Sequence, residues 1–370
     1  MDVVGRTISQ VKGDPGLSYS ARDKYGLGVL VDPDSWRNQW PIDARPVSFQ
    51  KAQFASRAAL DFRRRPLSSA EEDAYVRATL EDEVAARASI FVPPYHVAGG
   101  PDCPIRGLDL RLARRTVARV RALRLNEPRS SERFPRPGEV FVCVCLRADE
   151  LLDAAARYML AHLYGQIDAD GYLVKVAGLS EHAPDSHVRA VADFAFTLKL
   201  LSGRRVVTVG GKNLAYALVA AGLDAAMLGI GEGEMFSPGA RAGGGGTRPV
   251  YCSAILRSVQ TYGVATGAIF RSEILFARYP CDCGHHRQGR APEGQRERKL
   301  HTLSERLGDF NTAASWTETE ARQRLANRLA TANGVANATG YPQLPDTFLA
   351  VAEQAELTRK RWRRSGEQLS

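Results

Sequence analysis

The chain has 370 residues, with 50 lysines and arginines against 41 aspartates and glutamates, which gives a formal charge of +9 at neutral pH. Hydrophobic residues make up 44% and charged residues 25%, values that are ordinary for a folded globular protein. This composition excludes intrinsic disorder as the dominant state, and the length allows one large barrel or two smaller domains. The positive charge is compatible with a nucleic-acid partner, although an arginine-rich composition also follows from a GC-rich genome.

The N-terminus and the cysteines bear on the cellular compartment. Residues 1–10 contain no apolar run of signal-peptide length, and no stretch approaches the roughly 18 to 20 apolar residues that span a bilayer. We therefore expect no membrane association. The cysteines are Cys103, Cys143, Cys145, Cys252, Cys281 and Cys283. They do not resemble a disulfide framework, so the sequence predicts a cytoplasmic, reducing compartment.

Short β-branched runs alternate with amphipathic segments of helical length along the chain. The predicted strands are 28–31, 90–93, 140–146, 171–176, 205–209 and 225–230. The predicted helices are 71–88, 110–123, 148–164, 186–201 and 213–221. A strand–helix–strand series produces parallel strands with right-handed crossovers, which leaves a doubly wound sheet or a (β/α)8 barrel. No G-x-G-x-x-G follows the first strand, which disfavours a dinucleotide-binding sheet.

The densest chemical signal is a cluster of cysteines and histidines near the end of the chain. The run C-D-C-G-H-H at 281–286 is followed, after a basic stretch, by a further histidine. Zinc prefers a tetrahedral set of sulfur and nitrogen ligands, and four protein ligands make a structural site. We predict a structural zinc ion bound by Cys281, Cys283, His286 and His301. By spacing, His286 fits the third place better than His285, although either could serve.

The zinc pattern and several segments before it resemble the guanine transglycosylases, enzymes that exchange a guanine in tRNA or DNA for a 7-deazaguanine. The run C-x-C-x2-H followed by H-x-L resembles their C-x-C-x2-C…H zinc site, with His286 in place of the third cysteine. Residues 171–181 are similar to the family's G-Y…G-G-L…E stretch, and residues 209–224 to its V-G…A-x-G-V-D stretch. Residues 31–39 resemble its D-S-G-G-F-Q element, so the resemblance covers about residues 25 to 315.

The resemblance implies an α/β fold, a (β/α)8 TIM-type barrel with a zinc-binding subdomain near the C-terminus. We therefore expect a barrel core with an N-terminal extension over 1–278, the zinc-binding subdomain and closing helices over 279–345, and a basic helical tail over 346–370. The implied ligands are structural zinc, a purine or 7-deazaguanine, and tRNA or DNA. A homodimer or a heterodimer is compatible with what is known of the family.

Carboxylates are the expected catalytic groups, because base exchange breaks and remakes a glycosidic bond at one carbon. The nucleophilic aspartate of the family falls at Met227, which is not an acid. Glu232 and Glu234 lie just beyond the same strand, where barrels place catalytic residues, although a solvated loop is the alternative. Asp32 and Asp34 fall where the family has its general-base or sugar-contacting aspartate, unless they merely form an Asp-Pro-Asp-Ser turn.

Other residues are expected to contact the base. The candidates are Gln39, Tyr95, Ala177, Gly178 and Leu179. Gln39 could hydrogen-bond a base edge and Tyr95 could stack on a ring, or each could be an ordinary loop or core residue. The 177–179 loop resembles the family's glycine-rich loop, whose backbone approaches the base closely. Lys175, inside an apolar strand, is chemically useful if buried, but such a lysine more often faces outward between helices.

Three functions therefore stay open from the sequence alone. The first is a base-exchange enzyme, and the second is a non-catalytic relative that docks nucleic acid or a partner, which Met227 favours. The third is an unrelated barrel hydrolase that cuts an N-glycosidic bond with a carboxylate pair. In the first two functions, phosphates would be contacted by Arg204, Arg205 and the basic residues in 287–299 and 359–364, unless these residues are only solvated surface.

Overall fold

The molecule has a mixed α/β fold in two compact units. The computed structural model describes residues 3–7, 28–33, 35–39, 50, 52, 66–98, 103–126, 138–180, 182–211, 213–228, 250–259, 281, 283–285, 292 and 295–367. The first unit consists of Met1–Lys175 and Leu201–Val206, and the second of Val176–Leu200 and Val207–Ser370. The predicted domain boundaries at 278 and 345 remain predictions.

The described strands form one parallel sheet and one hairpin. They are β1 (Val3–Thr7), β2 (Gly28–Asp32), β3 (Ile90–Phe91), β4 (Glu139–Arg147), β5 (Gly171–Ala177), β6 (Arg205–Val209), β7 (Ala225–Met227), β8 (Val250–Cys252) and β9 (Arg257–Val259). Strands β1 to β7 lie side by side in chain order, and β8 pairs with β9 in antiparallel fashion. The pairs β1–β2, β2–β3, β3–β4 and β6–β7 are parallel, which confirms the prediction of parallel strands.

The sheet of the first unit curls strongly. Lys175 on β5 donates a hydrogen bond to Asp32 on β2 at 2.8 Å, although β3 and β4 lie between these strands. In a flat sheet, neighbouring strands about 4.8 Å apart would place β2 and β5 about 14 Å apart, beyond the reach of a lysine. The sheet is therefore curled like half of a barrel. Closure into a full (β/α)8 barrel remains a prediction, because parts of the chain lie outside the described residues.

From β2 to β7, helices alternate with the strands as expected, and three further described helices follow one another after β9. The helices are α1 (Ser69–Ala85), α2 (Pro104–Asn126), α3 (Ala154–Gly165), α4 (Asp185–Ser202), α5 (Leu214–Ala220), α6 (Gln295–Ala314), α7 (Glu318–Ala338) and α8 (Thr347–Glu367). Helix α1 begins with a capping box, in which the Glu71 amide donates to the Ser68 hydroxyl at 3.3 Å and the Ser68 amide donates to the Glu71 carboxylate at 2.8 Å. These reciprocal bonds satisfy backbone donors that the first helical turn leaves unpaired.

Two features of the secondary structure differ from the predictions. The predicted helix 148–164 is divided into a short 3-10 helix, Ala148–Leu151, and α3. The division arises because the Asp153 side chain accepts a hydrogen bond from the Ala156 amide at 2.7 Å and starts a new helix there. Strands β1, β8 and β9 were not predicted from the sequence, since runs of three to five residues show little hydrophobic periodicity.

Helices α6, α7 and α8 form the C-terminal part of the second unit. Helix α6 packs against β8 and α5, α7 packs against the 3-10 helix Ser253–Ile255, and α8 packs against α5 and α7. Their contacts bury apolar side chains such as Leu325 and Phe348, which have no solvent exposure. Among the described residues, no helix combines the length and apolar character needed to cross a membrane.

Candidate functional site

A buried aspartate, lysine and tyrosine meet in the first unit. Asp32 is the last residue of β2, Lys175 lies on β5, and Tyr95 follows β3. The Lys175 ammonium donates to Asp32 Oδ2 at 2.8 Å and to Tyr95 Oη at 2.7 Å, while Tyr95 Oη donates to Asp32 Oδ1 at 2.6 Å. Only 8% of the Lys175 side chain and 4% of the Asp32 side chain are exposed. We call this triangle of hydrogen bonds the Asp32 cluster.

The segment that carries Tyr95 is fixed by the 3-10 helix Ser35–Gln39. The Ser35 hydroxyl accepts from the Tyr95 amide at 2.6 Å and donates to the Tyr95 carbonyl at 2.7 Å. The Gln39 side chain donates to the Val97 carbonyl and accepts from the Val97 amide, both at 2.9 Å. Gln39 therefore supports the loop in this structure, and its predicted contact with a base edge stays a prediction. Tyr95 is buried beside Asp32.

His96 holds the same segment from its other side. Its ring makes a 2.6 Å contact from Nδ1 to Asp109 Oδ1, and its amide donates to Asp109 Oδ2 at 3.0 Å. The second ring nitrogen lies 3.3 Å from the hydroxyl of Tyr75. Both ring nitrogens thus have partners, and the side chain has no solvent exposure. His96 is best described as a positioning residue for the loop, since nothing can reach its ring without displacing these partners.

Glu83 is a second buried acid near the Asp32 cluster. It lies on α1, and its Oε1 accepts a hydrogen bond from the Val92 amide at 2.7 Å. Within the part of the chain that the structure describes, its Oε2 has no hydrogen-bond partner. Burial, reinforced by repulsion from Asp32 and Asp82, raises the pKa of the Glu83 carboxyl well above its usual range, against the opposing effect of the Val92 bond. No residue pattern in the sequence indicated a functional role for Glu83.

This shift makes stability depend on pH. Because the folded state holds the Glu83 proton more tightly than the unfolded state, the stabilisation is complete below the unfolded pKa and is lost as the pH rises through the folded pKa. Glu83→Gln keeps the shape of the neutral acid, so we expect it to remove a slope of about 1.4 kcal/mol per pH unit over that window. Urea unfolding from pH 4 to 9 measures the slope. The exposed neighbour Glu81, as Glu81→Gln, is the control, and equal slopes in both variants would refute the assignment.

The environment of the β4 thiols disfavours them as nucleophiles. Cys143 and Cys145 are both buried, and both are free cysteines. Burial raises the pKa of each thiol above its ordinary value, and the nearby Lys175 charge only partly opposes the effect. Since the thiolate is the reactive form of cysteine, the raised pKa values leave the carboxylate, the amine and the phenol as the candidate reactive groups.

The remaining predicted site residues are only partly described. Ala177 ends β5, Gly178 adopts a left-handed conformation with φ of 78°, and Leu179 is buried. Among the described residues, an added Cβ at Gly178 would meet no atom within 4 Å, which is compatible with close approach of a ligand. Met227 ends β7. The predicted acids Asp34, Glu232 and Glu234 lie outside the described residues, so their roles stay predictions.

Two cysteines and a histidine come together in the second unit. The ligand atoms of Cys281, Cys283 and His301 lie within 4.8 Å of one another, and the two sulfurs are 3.2 and 3.4 Å from His301 Nδ1. Bond lengths of 2.3 Å to sulfur and 2.0 to 2.1 Å to nitrogen place tetrahedral zinc ligands about 3.5 Å apart. The spacing therefore fits one metal ion, and we call this group the Cys–His cluster.

The local backbone explains how the Cys–His cluster forms. The Cys283 amide donates to Cys281 Sγ at 3.4 Å, and Gly284 turns the chain with a φ of 67°, a left-handed conformation that favours glycine. His301 on α6 makes a 2.8 Å hydrogen bond from Nε2 to the Tyr251 carbonyl. A carbonyl can only accept, so the proton lies on Nε2 and the Nδ1 lone pair faces the sulfurs. A backbone partner of this kind orients most metal-binding histidines.

The candidates for a fourth metal ligand are His285, His286 and Glu305. His286 lies outside the described residues, and His285 is exposed. Glu305, one helical turn after His301, accepts a hydrogen bond from the Cys281 thiol at 3.2 Å. The residues present fit a metal ion held by two sulfurs and one imidazole nitrogen, and His286 stays the predicted fourth ligand.

Polar contacts next to the Cys–His cluster join α6 to the β8–β9 hairpin. The Tyr251 hydroxyl donates to Asp309 at 2.8 Å, and its amide donates to the Thr302 hydroxyl at 3.2 Å. Arg328 on α7 donates to the same Asp309 carboxylate at 3.2 Å. A metal ion bound by His301 would therefore strengthen the packing of α6 against this hairpin.

The predicted basic surface is largely neutralised where it is described. In the tail, Arg359 and Arg363 pair with Glu318, Lys360 pairs with Glu356, and Arg361 pairs with Asp193. Arg204 likewise pairs with Asp168, and Arg205 with Glu139. Exposed basic side chains include Arg296, Lys299 and Arg364. The positive charge available to a nucleic acid is thus smaller than the sequence count suggests.

Comparisons with known proteins add no further assignment. No protein-family model matches the chain, and no curated protein matches it.

Proposed function

We propose that this protein acts on a glycosidic bond, as a divergent member of the guanine transglycosylase type that exchanges a base for a 7-deazaguanine in DNA or tRNA. One observation carries the proposal: a buried carboxylate, Asp32, stands at the carboxyl end of a strand in a curled parallel sheet, held by an amine and a phenol. Barrel enzymes place their catalytic groups at this end of the strands.

The geometry suits a carboxylate that contacts a sugar during base exchange. Oδ2 of Asp32 accepts from the Lys175 ammonium and Oδ1 from the Tyr95 hydroxyl, so the carboxylate has a defined orientation. Lys175 balances the negative charge of Asp32 in a site where both side chains are almost fully buried. In the proposed mechanism Asp32 acts as general base or sugar contact, and Glu232 or Glu234 supplies the nucleophile in place of Met227. The same proposal includes closure of the sheet into a full (β/α)8 barrel. It also includes a zinc-binding subdomain around the Cys–His cluster.

A non-catalytic role is the second candidate, and Met227 favours it. This residue ends β7, at the position of the family's nucleophilic aspartate. Its thioether cannot serve as a reversible covalent nucleophile toward a sugar carbon, and it cannot transfer a proton. In this case the protein would hold the zinc ion and dock nucleic acid or a partner subunit beside an active chain.

Base exchange separates the two candidates. Purified protein is incubated with labelled guanine or a labelled 7-deazaguanine, together with tRNA or DNA, and incorporation is counted. We expect incorporation by the wild type and a loss of about 10²-fold or more in Asp32→Asn, because a carboxamide cannot take up a proton. Asp34→Asn is the matched comparison two residues away. No incorporation by the pure chain, with incorporation restored by a partner protein, would overturn the catalytic assignment and favour the docking role.

Nucleic-acid binding should depend on salt in proportion to the exposed charges. If Arg296, Lys299 and Arg364 each contact one phosphate, the affinity for tRNA or DNA falls by about 40-fold between roughly 50 and 200 mM salt. Replacing all three with alanine should flatten this dependence, whereas Arg119→Ala on α2 should change it little. Fluorescence anisotropy titrations at several salt concentrations measure the slope, and a flat wild-type response would exclude phosphate contacts.

A further inference from the structure

A mechanism based on carboxylates alone assigns no chemical role to the amine of Lys175. It is buried, and it donates to Asp32 Oδ2 at 2.8 Å and to Tyr95 Oη at 2.7 Å. Transfer of one proton along the 2.8 Å hydrogen bond leaves both groups neutral, and a neutral lysine amine is a strong nucleophile toward carbonyl carbons.

We infer that Lys175 is a nucleophile that condenses with the aldehyde carbon of an open-chain sugar and forms a protonated imine. The inference rests on the proposed function, because that function places the sugar of a nucleoside at Asp32. A sugar that has lost its base opens to an aldehyde at the same carbon that carried the base. The substrate class is therefore an aldehyde sugar, free or within a nucleic-acid strand.

The three residues of the Asp32 cluster can perform every proton transfer of this step. Asp32 takes a proton from Lys175, the amine nitrogen bonds to the aldehyde carbon, and the carbonyl oxygen is protonated to a hydroxyl. The carbon–oxygen bond then breaks, and the oxygen leaves as water with two protons that came from the Lys175 ammonium. The products are a protonated imine, which keeps the third ammonium proton and the positive charge, and the Asp32 carboxylate. No oxidant or reductant is needed.

The third member of the cluster distinguishes a reactive site from a simple ion pair. An ion pair needs only Lys175 and Asp32, yet Tyr95 Oη both donates to Asp32 and accepts from Lys175. The phenol can thus give its proton to a carbonyl oxygen and recover one from Asp32. Ser35 fixes the Tyr95 backbone through two hydrogen bonds of 2.6 and 2.7 Å, which holds the phenol in place for this transfer.

Reductive trapping tests the inference on the wild-type protein. The protein is incubated with sodium cyanoborohydride and either 2-deoxyribose or a DNA oligonucleotide that contains an abasic site, and peptide mass spectrometry locates the adducts. We expect the adduct on Lys175 to exceed that on the exposed Lys360 by at least about tenfold, since the neighbouring acid and base accelerate imine formation. The two arms distinguish a free sugar from a sugar in a nucleic acid. Adducts on exposed lysines only, or none, would overturn the inference.

Variants separate this inference from the proposed function. Tyr95→Phe should slow adduct formation on Lys175 by about 10²-fold, whereas Lys199→Arg should leave it unchanged. The wild-type peptide map decides the matter even where a substitution impairs folding. Base exchange is measured on the same preparations. An adduct on Lys175 without base exchange overturns the proposed function alone, and base exchange without an adduct overturns this inference alone.

Discussion

Replacing Lys175 with methionine is expected to lower the free energy of unfolding by about 3–5 kcal/mol, because the substitution leaves the Asp32 carboxylate buried without its counter-charge. The Asp32 side chain is only 4% exposed, and the hydrogen bond from the Tyr95 hydroxyl supplies no counter-charge. Urea denaturation followed by circular dichroism measures the change. The double variant Asp32→Asn/Lys175→Met removes both charges and should recover much of the lost stability.

An exposed ion pair provides the matched control for this prediction. Lys199 donates to Asp224 at 2.8 Å, as Lys175 does to Asp32, but the two side chains are 32% and 29% exposed. Lys199→Met should therefore cost at most about 1 kcal/mol. If Lys175→Met and Lys199→Met are equally destabilising, the Asp32 cluster is not the desolvated site described above, and both the catalytic and the nucleophilic roles lose their basis.

One zinc ion per chain is expected in the purified protein, and both Cys281→Ser and His301→Ala should lose it. The sulfurs and the imidazole nitrogen already lie at tetrahedral ligand spacing, so binding requires little rearrangement. Loss of the ion should also lower the melting temperature, because His301 connects α6 to the β8–β9 hairpin through the Tyr251 carbonyl. Elemental analysis by mass spectrometry and thermal unfolding with and without a chelator measure the two effects.

Cys103→Ser is the control, since this thiol lies outside the Cys–His cluster and its loss should leave the zinc content unchanged. The same assay identifies the fourth ligand. Zinc loss in His286→Ala but not in His285→Ala or Glu305→Gln would agree with the predicted spacing. A wild-type protein without bound zinc, after purification in the absence of chelators, would contradict the site and remove the strongest part of the family resemblance.

Much of the secondary structure was predictable from residue patterns. The β-branched runs at 140–146 and 205–209 lie within or coincide with observed strands, because an apolar run between amphipathic segments has few other stable conformations. Hydrophobic periodicity gave a wrong prediction where a local hydrogen bond sets the start of a helix. Asp153 starts a new helix inside the segment 148–164, which was predicted to be one continuous helix. The three members of the Cys–His cluster were all among the predicted candidates, and C-x-C followed by glycine keeps its two sulfurs together by local geometry alone.

The sequence by itself determined the parallel α/β pattern, the candidate metal ligands and Asp32 as a candidate acid, all of which depend on residues close together in the chain. Only the tertiary structure decided which side chains surround that acid. Lys175 lies 143 positions away from Asp32, and the sequence favoured an outward orientation for it. Curling of the sheet brings β5 within reach of β2, and burial then makes an ion pair with Asp32 the stable arrangement for the amine. Curvature and desolvation are properties of the whole packed unit, and no local run of residues encodes them.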